Sequence, residues 1–307
     1  MAILPKSYQT GRRQGEEIIY LSGAAYCFNL PAWSCRYCEK ARRLGYQFHS
    51  VVSNEDQNTL CFISVNDKLK EIVLTFRGTL NLGNVLADLH VSIWNIGMGS
   101  TVMKRNKTKG EAPVGEEMRI HTGFIIATNS LYSEVVEKLG SLLKEKRDHE
   151  VVAIGHSLGA AIASVTLFMI KEEINLPPNF PTPKSYAYFG YGTPRVGNKA
   201  YADYWNGQKD MHITRVVNQA DFAAHAPPAI AGYVHYGTEL WITETGIKKC
   251  SRKMYEDPTC ANSVAEAANL PYHLKYWDVA FLSCALKNPL WTVQQFVMPL
   301  SILKNNK

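Results

Sequence analysis

The fold of this 307-residue chain is decided by one stretch, Val151-Val152-Ala153-Ile154-Gly155-His156-Ser157-Leu158-Gly159. Its first four residues are all apolar, which is typical of a short strand buried on both faces of a parallel sheet. The residues from Leu158 to Ile170 are small and apolar and predict a helix directly afterwards. Gly-x-Ser-x-Gly between a buried strand and a helix indicates a serine nucleophile, with a structural turn as the alternative.

The turn at Ser157 explains the residue types around it. So sharp a turn forces Ser157 into a strained backbone conformation and throws its hydroxyl clear of the sheet. Gly155 and Gly159 remove side chains that would clash with the preceding strand and the following helix. The N–H of Leu158, at the helix N-terminus, then points at the carbonyl oxygen under attack and stabilises its negative charge. We therefore predict Ser157 as the nucleophile and Leu158 as an oxyanion-hole donor.

A serine nucleophile needs an acid to orient its base, and Asp221 is the predicted acid. In hydrolases with this strand-turn-helix motif the chain order is Ser, then Asp or Glu, then His. Asp221 comes just after the β-branched run Ile213–Val217, where an acid at the end of a strand belongs. Asp203 and Asp210 lie in a polar stretch and are weaker candidates. The alternative role for Asp221 is to cap a loop.

The predicted base is His273, in a loop before a C-terminal segment. The alternative is a loop histidine with no catalytic role. His225 is only four residues beyond the predicted acid and would have to fold straight back. His235 precedes a predicted strand and is expected to pack against the sheet. His156 lies inside the nucleophile turn, so it cannot act as the base and is expected to pack or to shape the pocket.

Strands and helices alternate along the rest of the chain, which predicts a single α/β domain over residues 1–307 with a mostly parallel sheet. Asn66-Asp67 between two apolar runs is a turn signal and predicts a hairpin. The predicted elements are helices within 14–47 with a Cys-rich break, the hairpin strands Cys61–Val65 and Ile72–Phe76, the helix Phe124–Leu143, and the strands Tyr186–Tyr191, Ile213–Val217 and Thr238–Ile242.

Composition and charge exclude several classes of protein. With 46% hydrophobic residues the chain is too apolar to be disordered. The net charge of +6 is mild and scattered, without the basic stripe and aromatic residues of a nucleic-acid site. No window of about 18 residues is continuously apolar, so no transmembrane segment is predicted. The densest basic cluster, within residues 104–109, is expected to be a solvated loop, with contact to an anionic lipid surface as the alternative.

Seven cysteines bear on the cellular compartment. Only one Cys-x-x-Cys pair is present, so a zinc ribbon is disfavoured and we predict no metal. Cys61 lies in an apolar run and is expected to be a buried thiol. We predict that the others form three disulfides, which implies an oxidising compartment and a secreted protein whose signal peptide precedes this sequence. A cytoplasmic protein is the alternative. The six remaining cysteines are Cys27, Cys35, Cys38, Cys250, Cys260 and Cys284.

Several blocks along residues 60–280 share their order with one family. The chain resembles the class 3 lipases, the triacylglycerol lipases of filamentous fungi and yeasts, and the resemblance implies an α/β-hydrolase fold with a helical lid. Besides Gly155–Gly159, the blocks are Phe76-Arg77-Gly78-Thr79, His121-Thr122-Gly123-Phe124, Gly192-Thr193-Pro194-Arg195-Val196-Gly197-Asn198, and Asn218 to Asp221 followed by Pro227-Pro228.

The resemblance implies further site residues. Thr79 matches the oxyanion-hole position, where a backbone N–H and a hydroxyl both face the substrate oxygen. Residues 81–92 resemble the lid, a short amphipathic helix over the active site, with a fixed surface helix as the alternative. Asp88 matches the acid that supports the oxyanion residue. The other predicted lid residues are Asn84, Val85 and Leu86. Of these, Val85 and Leu86 are apolar, and together with Leu82 and Leu89 they form the face that would cover the pocket.

The same resemblance implies the disulfides Cys27–Cys284, Cys35–Cys38 and Cys250–Cys260. It implies a serine ester hydrolase that acts without a cofactor on triacylglycerols at a lipid–water interface. The alternatives are an esterase on soluble esters, a mono- or diacylglycerol lipase, a phospholipase and, remotely, a non-catalytic lipid-binding protein. The chain departs from the family in a basic insertion around 102–109 and in an extension over about 285–307.

Overall fold

Most of the strands join one central sheet. The computed structural model of the chain describes residues 12–28, 30–79, 100–103, 117–252, 255–264 and 269–284. Numbered in chain order, the strands are β1 (Gln47–Asn54), β2 (Thr59–Asn66), β3 (Glu71–Phe76), β4 (Ser100–Val102), β5 (Arg119–His121), β6 (Glu150–His156), β7 (Tyr186–Tyr191), β8 (His212–Asn218), β9 (Thr238–Thr243), β10 (Gly246–Lys249), β11 (Lys275–Tyr276) and β12 (Val279–Ala280).

The eight-stranded sheet has the order β1-β2-β3-β6-β7-β8-β9-β10. Strands β3, β6, β7, β8 and β9 run parallel to one another, whereas β1, β2 and β10 pair antiparallel with their neighbours. The carboxyl ends of the five parallel strands therefore meet at one edge of the sheet. Ligands of open α/β sheets bind at this edge.

Helices cover both faces of the sheet. Helix α4 starts immediately after β6, so the strand and the helix enclose the residues of the Gly-x-Ser-x-Gly turn. None of the described helices is long and apolar enough to cross a lipid bilayer. The helices are α1 (Arg12–Ala24), α2 (Arg36–Arg43), α3 (Thr122–Glu145), α4 (Leu158–Lys171), α5 (Lys199–Asn206) and α6 (Leu270–Leu274).

The core consists of two apolar layers, because successive residues of a buried strand point to opposite faces. In β6, Val152 and Ile154 pack with residues of α1 and α2, while Val151 and Ala153 pack with residues of α3 and α4. All four are fully buried. A strand covered on both faces needs apolar residues at every position. This explains why the uninterrupted apolar run at 151–154 carries so clear a signal.

The sequence predictions for this core are confirmed, and those for its margins are partly wrong. The hairpin forms as β2 and β3, with Cys61 opposite Phe76. The predicted helical region 14–47 ends too late, because Gln47 already begins β1. Edge strands such as β1 and β10 keep one side in solvent, so they need no apolar run and were missed. Helix α5 was also missed.

The three disulfides have the pairing that the resemblance implies. They join Cys27 to Cys284, Cys35 to Cys38 and Cys250 to Cys260. Cys61 is a buried free thiol, as predicted. The first disulfide ties the segment after α1 to the segment after β12, across 257 residues of sequence. The two ends of the described chain are therefore linked on one face of the sheet.

Candidate active site

Ser157 forms the turn between β6 and α4. Its backbone angles of φ 59° and ψ −131° lie in a region that non-glycine residues rarely adopt. The predicted backbone strain is therefore present. The neighbouring strand holds the turn, because the Ser157 N–H donates to the carbonyl oxygen of Tyr191 at 2.9 Å. Leu158 is the first residue of α4, so its N–H has no acceptor within the helix and lies at the positive end of the helix dipole.

The segment that leaves β3 passes directly over this turn. A Cβ on Gly159 would lie 2.2 Å from the carbonyl oxygen of Phe76, so only glycine allows the two segments to pack so closely. Further along, a Cβ on Gly78 would lie 3.1 Å from the Ser157 Cβ. Thr79 follows at once and is buried. The fold thus brings Thr79 and Leu158 to the vicinity of Ser157.

Asp221 follows β8 and is fully buried. Its carboxylate accepts three kinds of hydrogen bond. His273 Nδ1 lies 2.9 Å from Oδ1 and 3.0 Å from Oδ2, Tyr276 Oη donates to Oδ2 at 2.5 Å, and the Ala223 N–H donates to Oδ1 at 2.8 Å. Hydrogen bonds to a charged acceptor are the stronger ones in proteins. The carboxylate is therefore fixed in position and in orientation.

These contacts decide the charge of Asp221. Burial raises the pKa of the carboxyl group, but the His273 ring, through its charge and its hydrogen bond, lowers it, and so do the Tyr276 hydroxyl and the Ala223 N–H. The net pKa lies below its usual value, so Asp221 is ionised at neutral pH. An ionised acid of this kind can stabilise an imidazolium ring beside it.

His273 lies in α6, a single helical turn, rather than in the predicted loop. The helical turn places the ring beside Asp221. With Nδ1 bound to the carboxylate, Nε2 is the ring nitrogen that remains to exchange a proton. Nε2 is buried and has no hydrogen-bond partner among the residues that the structure describes. The ring centroid lies 4.5 Å from that of His156, the residue before Ser157.

Tyr276 and Gly192 also support the Asp221–His273 pair, and the sequence analysis predicts no site role for either. Tyr276 is fully buried, and its hydroxyl lies between Asp221 and Asn218. The Asn218 N–H donates to this hydroxyl at 3.2 Å. Gly192 has φ +55°, and a Cβ there would lie 2.6 Å from Asp221 Oδ2 and 2.9 Å from His273 Nδ1. The signal for Gly192 was its position after the buried strand Tyr186–Tyr191. The signal for Tyr276 was its place three residues after His273.

The other downstream histidines lie outside the candidate triad. His225 does fold back onto Asp221, but its Nδ1 contacts the backbone carbonyl oxygen at 2.9 Å rather than the carboxylate. Its Nε2 contacts the carbonyl oxygen of Ala261 at 3.1 Å. His235 is buried in a loop before β9, and its Nε2 contacts the carbonyl oxygen of Ala224. The expectation that His235 packs is correct, although it lies outside the strand.

Some predicted features lie outside the described residues. These are the lid over 81–92 with Asn84, Val85, Leu86 and Asp88, the basic cluster at 104–109 and the extension over 285–307. Among the described residues, two groups have the spacing of metal ligands, and each contains cysteines that are paired in disulfides. A disulfide sulfur is not a thiolate, so neither group has a metal site's ligand set.

Comparison with known proteins identifies similar sequences and structures. The family described as "Lipase (class 3)" matches residues 73–231. The lipase of Rhizopus niveus is 26% identical over 275 residues, which cover 86% of this chain and 63% of that protein. The secreted mono- and diacylglycerol lipase A of Penicillium cyclopium is 28% identical over 186 residues, with 61% and 52% covered. The chain thus spans less than two thirds of the length of these relatives.

The fold is also similar to that of solved structures. One is a triacylglycerol lipase whose catalytic centre is described as a serine protease triad. It matches with a TM-score of 0.71 and 25% identity over 89% of this chain and 96% of that chain. Together with the mostly parallel sheet and its flanking helices, this similarity establishes the α/β-hydrolase fold predicted from the sequence.

Proposed function

The chain belongs to the class 3 lipase family, and from that premise we propose that it is a serine ester hydrolase that releases fatty acids from acylglycerols at a lipid–water interface. The observation that carries the proposal is the contact of 2.9 Å between His273 Nδ1 and the buried carboxylate of Asp221. The His273 ring lies 4.5 Å from that of His156, the residue before a serine held in a strained turn. A histidine base oriented by an acid beside a serine is the arrangement that activates a nucleophile.

In the first half of the proposed reaction, Ser157 Oγ attacks the acyl carbonyl carbon while His273 Nε2 takes the hydroxyl proton. Asp221 stabilises the imidazolium through Nδ1. The carbonyl oxygen becomes negative and is stabilised by the N–H groups of Leu158 and Thr79 and by the Thr79 hydroxyl. The bond from the carbonyl carbon to the alcohol oxygen then breaks. His273 gives its proton to that oxygen, which leaves as the alcohol, and an ester on Ser157 remains.

In the second half, water takes the place of the alcohol. His273 Nε2 removes a proton from water as the water oxygen attacks the acyl-enzyme carbonyl carbon. The same donors stabilise the second oxyanion. The bond to Ser157 Oγ breaks, His273 returns the proton to Oγ, and the fatty acid is released. Every proton in this scheme moves through one ring nitrogen, so no cofactor is needed.

The choice of acylglycerols as substrate is supported by apolar residues near the base and by the relatives. The half-buried Phe222 ring lies edge-on to His273, with centroids 4.9 Å apart, and forms an apolar wall beside the base. In the proposed lid, Val85 and Leu86 belong to an apolar face that would cover the pocket in water and turn outward on lipid. The mono- and diacylglycerol relative makes partial glycerides the second candidate substrate.

We also propose that the protein is secreted. Three disulfides within 307 residues favour an oxidising compartment. The relative from Penicillium cyclopium is a secreted mono- and diacylglycerol lipase, which favours the same compartment.

The test measures fatty-acid release from a triacylglycerol as its concentration is stepped from below to above its solubility limit. We expect the rate to jump at the solubility limit. We also expect Ser157→Ala to lower the rate by at least about 1,000-fold while the variant still folds. Smooth saturation on soluble p-nitrophenyl butyrate with no gain on the emulsion would move the protein to the esterases. No turnover of either ester by the unaltered protein would refute ester hydrolysis altogether.

A further inference from the structure

A buried chain of hydrogen bonds connects the proposed base to the N-terminal helix. Tyr26, just after α1, places its Oη 2.7 Å from His156 Nδ1. His156 Nε2 in turn lies 2.8 Å from the backbone carbonyl oxygen of His273. Tyr26 and His156 are both buried. Neither contacts Asp221 among the described residues, so this chain is separate from the bonds that orient the His273 ring.

The partners of His156 determine where its proton lies. A carbonyl oxygen can only accept, so Nε2 carries the hydrogen that is donated to His273. Burial and the neighbouring His273 ring lower the pKa of His156 well below its ordinary value, so the ring carries a single proton at neutral pH. Nδ1 is therefore an acceptor, and the Tyr26 hydroxyl donates to it.

The Tyr26 oxygen also faces the loop that carries Thr79. Burial raises the pKa of Tyr26, while the Arg77 charge and, less strongly, the Gly78 N–H lower it. A Cβ on Gly78 would lie only 2.3 Å from Oη. One continuous path thus runs from the residue before Thr79, through Tyr26 and His156, to the main chain of His273.

Ring packing fixes the plane of His156 within this path. The ring stacks on Phe281, with centroids 3.6 Å apart and an interplanar angle of 12°, and the tilted His273 ring lies at 4.5 Å. The segment that carries Phe281 ends in the Cys27–Cys284 disulfide, which attaches it to the residue next to Tyr26. His156 is therefore held both by hydrogen bonds at its edge and by stacking on one face.

Helix α6 needs such external support because it has only five residues. An isolated helix of that length is not stable. Side chains from the ends of two strands instead hold carbonyl groups of this helix and of the residue that follows it. Asn218 Nδ2, at the end of β8, donates to the carbonyl oxygens of Tyr272 at 3.2 Å and Lys275 at 2.8 Å. His156, at the end of β6, holds the carbonyl group of His273 itself.

We propose that His156 and Tyr26 are positioning residues for His273. The Nε2–H of His156 sets the position of the His273 main chain, and Tyr26 fixes the donor state of His156 while it keeps the base in register with the Gly78–Thr79 loop. This inference rests on the proposed function, since it assigns the residues that place its base. A displacement of about 1 Å in a catalytic group costs on the order of 100-fold in rate.

The test compares four variants by kcat per active site on p-nitrophenyl butyrate, with sites counted by irreversible labelling with a p-nitrophenyl phosphonate. His156→Leu removes the donor to His273, whereas His156→Gln offers an amide N–H in its place. Tyr26→Phe removes only the hydroxyl. Tyr132→Phe is the matched control, because Tyr132 is a buried tyrosine that donates to the carbonyl oxygen of Ile174 at 2.8 Å on the other face of the sheet.

We expect His156→Leu to lower kcat per site by about 10- to 100-fold with KM unchanged within about twofold. His156→Gln should restore most of the lost kcat per site. Tyr26→Phe should lower kcat per site by about threefold to tenfold, and Tyr132→Phe should leave it equal to that of the unaltered protein. Counting sites removes the effect of misfolded molecules, so a purely structural role would leave kcat per site unchanged.

The inference is overturned if His156→Leu keeps kcat per site within about twofold, or if His156→Gln falls as far as His156→Leu. If the His156 variants do not fold, the test rests on Tyr26→Phe, and the inference is overturned if this variant keeps kcat per site within about twofold of the unaltered protein. Nitrogen NMR of ¹⁵N-histidine-labelled protein gives an independent answer, since an Nδ1–H tautomer of His156 contradicts the proposal. If the unaltered protein neither reacts with the phosphonate nor turns over the ester, the proposed function has failed instead.

Discussion

Replacing Tyr276 with phenylalanine is the sharpest test of how Asp221 is held. The change removes one oxygen atom from a fully buried site and nothing else. Asp221 Oδ2 loses a donor at 2.5 Å, and the Asn218 N–H loses its acceptor. A hydrogen bond to a charged group contributes about 1.5–3 kcal/mol, so Tyr276→Phe should lower the free energy of unfolding by about that much at pH 7.

The pH dependence of that loss has a definite sign. The pKa of Asp221 in the folded protein is depressed, so its contribution to stability is present above the unfolded-state pKa and is lost as pH falls through the folded-state value. The Tyr276 hydroxyl lowers this pKa, and its removal raises it. The unfolded state of Asp221 is the same in both proteins, so their stability difference should be largest at neutral pH and narrow as the pH falls through the raised folded-state pKa of Asp221 in the variant.

Guanidinium unfolding of both proteins at several pH values from 7 down to about 3 measures this difference, with Tyr132→Phe as the control for a neutral acceptor. Loss of the donor to Asp221 should also lower kcat on p-nitrophenyl butyrate at pH 8 by about twofold to tenfold. A stability loss that is equal at every pH, together with an unchanged kcat at pH 8, would show that Tyr276 only packs and would refute the reasoning.

Two further predictions follow from the packing around the site. Gly192→Ala should abolish most ester turnover, by about 100-fold or more, because its Cβ would lie 2.6 Å from Asp221 Oδ2 at a backbone φ of +55°; activity within about tenfold of the unaltered protein would contradict the observed geometry. Replacing Cys27 and Cys284 together with serine should lower the free energy of unfolding by about 2–5 kcal/mol, because the disulfide closes a loop of 257 residues; a thermal melt with an unchanged midpoint would count against it.

The sequence predicted the centre of the fold because the constraints there are local. At 151–159 a buried strand, a forced turn and a helix follow one another without interruption, so residue types alone reveal the arrangement. Chain order and strand ends then placed Asp221 and His273, and the structure brings both together at 2.9 Å. The roles of these residues in catalysis stay predictions.

What could not be predicted depends on contacts between distant residues. Tyr276 lies 55 residues from Asp221, and Tyr26 lies 130 residues from His156. No periodicity or spacing marks such pairs, because a buried tyrosine in the sequence looks the same whether its hydroxyl meets a carboxylate or a backbone carbonyl. The interpretation of His156 as a packing residue was right about its burial, but its bond to the main chain of His273 was not foreseen.

The predictions for strand β1 and helix α6 were wrong for a different reason. Strand β1 has one side in solvent, and the pattern of its eight residues is too polar to distinguish it from the helix before it. The sequence predicts a loop at His273 because a helix of five residues is too short to show a helical period. Both errors concern elements whose conformation is set by their neighbours rather than by their own residues.

The central claim is that Ser157 is the nucleophile of a serine ester hydrolase, and covalent labelling tests it most directly. The protein is treated with a p-nitrophenyl phosphonate, release of p-nitrophenol is followed, and the modified peptide is located by mass spectrometry. We predict one adduct per molecule, on Ser157, with loss of ester turnover in proportion to labelling and no labelling of Ser157→Ala. An unlabelled Ser157 in a protein that still hydrolyses esters, or an adduct on another serine that abolishes turnover, would contradict the account.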